Sequence, residues 1–209
     1  MVQDYKILKS FIDAKEAEEI KEWVSQLSGA EGTPNHHLSQ LAKKINGKSF
    51  IFDIASTENT KYITKFQSIS EVKHGVPDFI TNLIDRISEQ LGISKEHVFL
   101  QAVDMNSGGK IDAHYDASID GYINYKCNLS VLSEDYVIHI DKNNLLIEEG
   151  DLYCFEASLY KHWTDEFRSR RVFLSFGFML KYEELGRTQD DPRVRLSKRI
   201  EKYFQSSAT

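Results

Sequence analysis

The feature that most constrains the fold of this chain is the long stretch from Val98 to Leu180, in which apolar and polar residues alternate. A period of two is typical of β-strands that bury one face. Turn signals such as Ser107-Gly108-Gly109 divide the stretch into short runs, which favours a jelly roll or a barrel. The predicted strands lie at residues 98–105, 111–115, 123–132, 136–141, 144–147, 152–156, 158–163 and 171–180.

Two amphipathic helices are predicted ahead of this stretch. Residues 14–28 carry apolar side chains at helical spacing, and Asp13 with Glu16 forms the capping-box pattern of a helix start. Residues 79–91 show the same spacing and end at Gly92, as helices commonly do. Because the helices come first and the strands follow, we expect the helices to cover one outer face of the sheet.

Shorter segments complete the chain. We predict strands at 5–11 and 49–54, and a turn-rich loop at 29–47. Asp191 and Pro192 suit an N-cap and a first helical position, so a basic C-terminal helix is predicted from Pro192. Its basic side chains favour a solvated face, and a homodimer through this helix is the alternative.

The length of 209 residues favours a single domain over residues 1–209. We expect a mainly β fold with supporting helices (α+β): a support region at 1–97, a jelly-roll core at 98–180 and a helical tail at 181–209. The net charge of −6 disfavours nucleic acid as a partner. The sequence shows neither a leader pattern nor an apolar run of about eighteen residues, so we expect no membrane partner and a cytoplasmic location.

Candidate metal ligands occur within the alternating stretch. His114 and Asp116 stand two residues apart, so in an extended strand their side chains point the same way. His139 and Asp141 form a second pair of this kind. A third ligand for the first pair has to come from His139 or His162.

Context favours the set His114, Asp116 and His162. The first pair precedes a polar loop at 117–121, so a bound metal would stay accessible, whereas His139 lies inside an apolar strand and is interpreted as structural. The several strands between Asp116 and His162 are enough to bring the chain back beside its starting strand. Two imidazoles and one carboxylate leave open positions that suit a non-haem Fe(II) centre, with zinc hydrolysis as the alternative.

Arg171 distinguishes these two chemistries. In the predicted strand 171–180 one face is wholly apolar and is expected to pack on the helices, so that Arg171 and Ser175 point into the barrel. A buried guanidinium needs an anion, and a carboxylate matches its fork. An internal Asp or Glu is the alternative partner. By the same alternation, Asn128 in the strand 123–132 faces the interior.

These residues together resemble the Fe(II)/2-oxoglutarate-dependent dioxygenases, in their prolyl-hydroxylase-like branch. The likeness lies in the His-x-Asp at 114–116, in His162 after Gly150-Asp151-Leu152, and in Arg171 nine residues further on. It covers about residues 98–180, and the strand-helix opening of the chain is also similar to that branch.

The resemblance implies a double-stranded β-helix (jelly-roll) core that holds Fe(II) through His114, Asp116 and His162. It implies 2-oxoglutarate as cosubstrate, with its far carboxylate on Arg171, and O2 as the oxidant. The implied reaction hydroxylates an unactivated C–H and yields succinate and CO2 as co-products. Aspartate at position 116 argues against the halogenating relatives, which free that position for chloride.

Two positions depart from the family pattern. Phe173 stands where several relatives carry serine, and Met105 stands where many carry tyrosine. Ser175 and Asn128 are therefore expected as 2-oxoglutarate contacts. The aromatic residues that flank the ligands are expected either to line the substrate pocket or to pack in the core; they are Tyr115, Tyr122, Tyr125 and Trp163.

The first functional hypothesis is a hydroxylase of a small molecule, such as an amino acid or a biosynthetic intermediate. A peptidyl hydroxylase is the alternative within the enzymes, with the loop at 29–47 helping to hold an extended chain. An AlkB-like nucleic-acid demethylase is disfavoured by the acidic balance. A jelly-roll protein that binds a metal or a sugar without catalysis is the alternative from another class.

Overall fold

The computed structural model describes most of the alternating stretch and the helices around it. The described residues are 5–27, 47–55, 76–116, 118 and 121–206, with the backbone alone at 47–55 and 200–206. Residues 29–46 of the loop predicted at 29–47, and most of the loop at 117–121, lie outside the described residues.

The strands follow the alternating pattern closely. The described strands are β1 (Tyr5–Leu8), β2 (Gly47–Ala55), β3 (Val98–Met105), β4 (Tyr122–Leu132), β5 (Tyr136–Ile140), β6 (Asn143–Ile147), β7 (Leu152–Glu156), β8 (His162–Thr164) and β9 (Arg171–Lys181). The described helices are α1 (Ala14–Leu27), α2 (Asp78–Leu91) and α3 (Pro192–Ser206), with a 3₁₀ turn at Tyr182–Leu185. No helix in the described part of the chain is both long and apolar enough to cross a membrane.

The strands form two antiparallel sheets. The larger sheet has six strands in the order β1-β7-β4-β9-β3-β2, and the smaller has three in the order β6-β5-β8. A buried cluster of apolar side chains from both sheets, including Ile138 and Ile140 of β5 and Tyr153 and Phe155 of β7, fills the space between them. We call this space the barrel interior.

A second buried cluster joins the other face of the larger sheet to the helices. It includes Ile20 of α1, Ile84 of α2, and Leu174 and Phe176 of β9. The prediction that the helices cover one outer face of the sheet is confirmed. Because successive residues of a strand point to opposite faces, Arg171, Phe173 and Ser175 are directed into the barrel interior.

Two predicted strands are wrong. The segment 111–115 forms one isolated bridge, between His114 and His162. The carbonyl of Ile111 accepts from the backbone N–H of Thr164, but the N–H of Ile111 donates to the hydroxyl oxygen of Thr164 instead of a strand carbonyl. The predicted strand 158–163 is a turn over most of its length, where the backbone N–H groups of Leu159 and Tyr160 donate to the carbonyl of Glu156. A side-chain acceptor interrupts the ladder in the first segment and a turn replaces it in the second, and the alternation of apolar residues reports neither.

The predicted capping box at the start of α1 is confirmed. The backbone N–H of Glu16 donates to Asp13 Oδ1 at 2.8 Å, and the backbone N–H of Asp13 donates to Glu16 Oε2 at 3.0 Å. The N-cap predicted at α3 is also confirmed, since Asp191 Oδ1 accepts from the backbone N–H of Arg193 at 2.8 Å. Each cap satisfies a backbone donor that the helix itself leaves without a partner.

Arg187 ties the C-terminal region to the larger sheet. Its guanidinium donates to both carboxylate oxygens of Glu156, at 3.0 and 3.1 Å, to Asp191 at 3.1 Å, and to the hydroxyl of Tyr160 at 3.1 Å. The side chains of Arg187 and Glu156 are only 13% and 5% exposed. Removing one member of such a buried pair leaves an uncompensated charge.

We expect the substitution Arg187→Met to lower the free energy of unfolding by about 3 kcal/mol, because Glu156 loses its buried counter-charge. The control is Arg195→Met, which removes an arginine whose pair with Asp190 is 60% and 91% exposed. That change is expected to cost less than about 1 kcal/mol. Chemical denaturation of both variants measures the difference, and equal losses would contradict a structural role for the Arg187 network.

Candidate metal centre

The segment that carries His114 and Asp116 is held against the chain that leads into and out of β8. It starts at Gly108, whose φ of 81° suits a glycine because the absence of Cβ removes the steric penalty. The backbone then follows β8 through hydrogen bonds of 2.8 to 3.1 Å, between Gly108 and Phe167, Gly109 and Phe167, Ile111 and Thr164, His114 and His162, and Asp116 and Ala157.

The pairing places three ligand-type side chains at one point. His114 and His162 exchange two backbone hydrogen bonds, at 3.1 and 3.0 Å, and their ring centroids are 4.2 Å apart. Asp116 Oδ1 lies 3.1 Å from Nε2 of His114 and 3.7 Å from Nε2 of His162. One ligand atom from each residue lies within 4.8 Å of the other two, as a shared metal ion requires.

The other ring nitrogens of both histidines are already engaged. Nδ1 of His114 lies 2.6 Å from the carbonyl oxygen of Asp112, and Nδ1 of His162 lies 3.1 Å from the carbonyl oxygen of Tyr160. A carbonyl only accepts, so each Nδ1 carries a proton, and Nε2 is the nitrogen that each ring has available for a metal. This is the arrangement in which an imidazole is oriented to bind a metal.

The electrostatics of the centre keep Asp116 ionised and His162 neutral. Burial disfavours the charged form of Asp116, but the ammonium of Lys126 and the two imidazoles outweigh it and hold the pKa of this carboxyl well below its usual range. Burial lowers the pKa of His162 to about 3, against the opposing attraction of Asp116. A carboxylate and a neutral imidazole are the protonation states that bind a metal.

His139 is directed away from this centre. In the register of β5 and β8, His139 lies opposite Trp163 and Ile140 lies opposite His162, so His139 and His162 are on different faces of the smaller sheet. His139 stacks on Trp163 with ring centroids 4.8 Å apart and hydrogen-bonds with Asn144 at 2.8 Å. The structure therefore brings together the predicted set His114, Asp116 and His162 and leaves out its rival.

Arg171 is buried in the barrel interior without a counter-charge among the described residues. It is 1% exposed, and its guanidinium lies 3.9 Å from the ring centroid of Tyr136, 4.2 Å from that of Phe173 and 4.6 Å from that of Phe167. Nη2 donates to the hydroxyls of Tyr136 and Tyr153, while Nε and Nη1 have no hydrogen-bond partner in the described part of the chain. A buried guanidinium in this state is prepared for an external anion.

Other polar groups near this arginine suit the carboxylate of a molecule such as 2-oxoglutarate. Ser175 lies four residues along β9 on the same face, and Asn128 lies directly opposite Ser175 in the register of β4 and β9. The hydroxyl of Ser175 and the amide oxygen of Asn128 are buried without partners among the residues that the structure describes. Burial also keeps the pKa of Tyr136 well above its usual range, despite the nearby guanidinium, so its hydroxyl retains a proton to donate. The residues fit a bound carboxylate.

Strand β7 connects the arginine to the metal ligands. The ring of Phe155 packs edge-on against His162 with centroids 4.8 Å apart, and it stacks on Tyr153 at 6.2 Å. Tyr153 in turn contacts Arg171 through its hydroxyl, 3.4 Å away. The ligand cluster and the arginine therefore face one apolar interior, where an ionic contact is stronger than it is in water.

The aromatic residues predicted to line a substrate pocket have different surroundings. Tyr125 packs against the helix-side core, on the face of β4 opposite to Lys126, and Trp163 stacks on His139 away from His162, so neither faces the metal centre. Because side chains alternate along β4 and β8, both residues point away from the barrel interior. Tyr122 packs edge-on against His97 at 5.8 Å. Tyr115 is half-buried between the two ligands in the chain and stays a prediction.

Sequence reasoning missed three residues of the site: Tyr136, Tyr153 and Lys126. Alternation along β7 was a signal for Tyr153, because Leu152 and Cys154 face the helices and their neighbours must face the interior. The same rule applied to β4 puts Lys126 on the face of Asn128. Alternation along β5 likewise puts Tyr136 on the interior face with Ile138 and Ile140, but its contact with Arg171 joins two different sheets, which alternation does not report.

Comparisons with known proteins find similarity in structure alone. No family model and no curated protein sequence matches the chain. A prolyl-4-hydroxylase from Pseudomonas putida matches with a TM-score of 0.55 and 14% identity, over 85% of this chain and 93% of that protein. A viral collagen prolyl hydroxylase from Paramecium bursaria Chlorella virus-1, in complex with 2-oxoglutarate, matches with a TM-score of 0.54 and 12% identity, over 85% and 97%.

A third structure matches over a similar share of both chains. It is a prolyl hydroxylase from Trichoplax adhaerens in complex with a peptide fragment of the oxygen degradation domain of hypoxia inducible factor, with a TM-score of 0.55 and 12% identity, over 87% of this chain and 86% of that one. The three matches agree in architecture at low identity. The predicted fold class is confirmed: the chain shares the double-stranded β-helix fold of these prolyl hydroxylases.

Proposed function

We propose that this protein is an Fe(II)- and 2-oxoglutarate-dependent hydroxylase. The observation that carries the proposal is the combination of an open His-Asp-His cluster with a buried arginine that has no carboxylate partner among the described residues, in one apolar interior. A zinc hydrolase can have the same ligand types, but its reaction does not require a buried arginine that binds a cosubstrate carboxylate. The fold shared with prolyl hydroxylases supports the same conclusion.

In this proposal each residue has a definite role. His114, Asp116 and His162 hold the iron, which when bound supplies the activation of O2. Arg171 binds the far carboxylate of 2-oxoglutarate, and Tyr136 and Tyr153 fix the guanidinium and donate to the same carboxylate. The surrounding rings of Phe155, Phe167 and Phe173 exclude water from the cosubstrate.

The proposed substrate is a small molecule, such as an amino acid or a biosynthetic intermediate. A prolyl peptide is the second candidate, because one structure of the same fold is a complex with a peptide fragment. Both substrates would reach the metal from the side of His114, whose side chain is 24% exposed while that of His162 is 5% exposed.

The reaction class is tested by loading the protein with Fe(II) anaerobically, adding 2-oxoglutarate and admitting air. We expect slow succinate formation without substrate and faster formation when the right substrate is present. Free amino acids and proline-containing peptides form the two arms of the screen. If the protein neither binds 2-oxoglutarate nor forms succinate, a non-catalytic binding protein becomes the better interpretation.

The choice of ligands is tested by a pair of histidine variants. We expect His162→Ala to lose binding of Fe(II) or Mn(II), because it removes one of the three ligand atoms at the centre. His139→Ala is the control, since His139 lies on the opposite face of the smaller sheet and should leave metal binding intact. Calorimetric titration with Mn(II) measures the affinity of both variants. Loss of binding only in the His139 variant would show that His139, and not His162, is the ligand.

The role of Arg171 is tested against its neighbour. We expect Arg171→Met to raise the 2-oxoglutarate concentration needed for half-maximal turnover by about 100-fold, the value of one strong charge-assisted contact, with metal affinity retained. Arg170→Met is the control, because Arg170 is 51% exposed and already forms a bidentate pair with Asp104. An equal effect from both variants would show that the cosubstrate binds elsewhere.

A further inference from the structure

Lys126 places a buried cation inside the candidate metal centre. It lies on the interior face of β4, opposite Phe155 of β7 and Gly177 of β9. Its ammonium is in ion-pair contact with Oδ2 of Asp116, and both side chains are only 12% exposed. A lysine is rarely buried without a specific partner, and the partner here is a candidate metal ligand.

The contact divides the two oxygens of the Asp116 carboxylate between different neighbours. Oδ1 faces Nε2 of His114 and of His162, at 3.1 and 3.7 Å, and Oδ2 faces the ammonium of Lys126. The backbone N–H of Asp116 donates to the carbonyl of Ala157 at 3.0 Å, which fixes the main chain from which the carboxylate extends. Only Oδ1 is therefore free to join the two imidazoles.

We propose that Lys126 is a positioning residue that restricts Asp116 to binding the metal through one oxygen. The inference rests on the proposed function and adds a restriction on the geometry of its metal site. A carboxylate that binds through both oxygens occupies two positions on an ion, whereas one oxygen occupies one. A three-ligand site keeps enough open positions for a chelating 2-oxo acid and O2 only when each ligand contributes a single atom.

The same lysine weakens the attraction of the site for a dication. Its positive charge repels a metal ion that binds at the neighbouring oxygen, and it neutralises Asp116 when the metal is absent. Removing the ammonium takes away this repulsion and also frees Oδ2 as a second donor. Both consequences strengthen metal binding, although they weaken the control over the number of open positions.

The test is Mn(II) binding to the purified protein, measured by titration with detection of the free ion by electron paramagnetic resonance. We expect Lys126→Met to bind Mn(II) at least about tenfold more tightly than the unsubstituted protein, because a water-like dielectric sets the lower bound for removing one charge beside a dication. Lys126→Arg keeps the charge and is expected to bind with nearly unchanged affinity. An unchanged or weaker affinity in a folded Lys126→Met variant would overturn the proposal.

Two further variants complete this test, one as a control and one as a replacement. Lys142→Met removes an exposed lysine in the turn between β5 and β6, and it should leave the affinity unchanged because the charge is lost at the surface. If Lys126→Met does not fold, Lys126→Gln replaces it: it removes the charge and keeps a polar N–H group near the position of the ammonium. This variant is expected to bind Mn(II) more tightly by several-fold, and an unchanged affinity would overturn the proposal equally.

Failure of this inference is distinguishable from failure of the proposed function. If the unsubstituted protein binds no Mn(II), or binds it equally well after His162→Ala, the metal centre itself is wrong. If it binds Mn(II) in a His162-dependent manner but Lys126→Met binds no more tightly, the metal centre remains and only the role of Lys126 is wrong.

Discussion

The candidate site depends on one short piece of backbone pairing, the bridge between His114 and His162. These two residues are far apart in the sequence, and the reciprocal hydrogen bonds between them set the separation of their rings. Asp116 follows two residues later, and its backbone is held by Ala157, the residue directly after the end of β7. The three ligand atoms therefore owe their proximity to backbone geometry.

Two buried cations share the barrel interior but differ in how they are compensated. Lys126 has its carboxylate in Asp116, whereas Arg171 has aromatic faces and tyrosine hydroxyls around it, and two of its nitrogens have no partner among the described residues. An aromatic face attracts a cation but does not satisfy its N–H donors. This difference gives the two residues different roles. Lys126 orients a ligand that belongs to the protein, and Arg171 is available to an anion from solution.

Alternation of side chains predicted most of this architecture, and its failures have a common cause. It assigned the helix-facing and interior faces of β9 and β4 correctly, and with them the direction of Arg171 and Asn128. It failed at 111–115, where the Thr164 hydroxyl interrupts the ladder, and at 158–163, where hydrogen bonds to the carbonyl of Glu156 form a turn instead. A pattern of apolar residues records which side is buried, but it does not record which backbone groups are paired.

The same limit explains why Tyr136 and Lys126 were missed although their strands were predicted. Each acts on a residue of another segment, Tyr136 on Arg171 across the two sheets and Lys126 on Asp116 across a loop, and sequence spacing does not encode such contacts. The choice between the two histidines has the same limit. Alternation places His139 and Ile140 on opposite faces of β5, but only the register of β5 on β8 shows that Ile140, and not His139, shares a face with His162. Excluding His139 from the site therefore requires the fold as much as including His162 does.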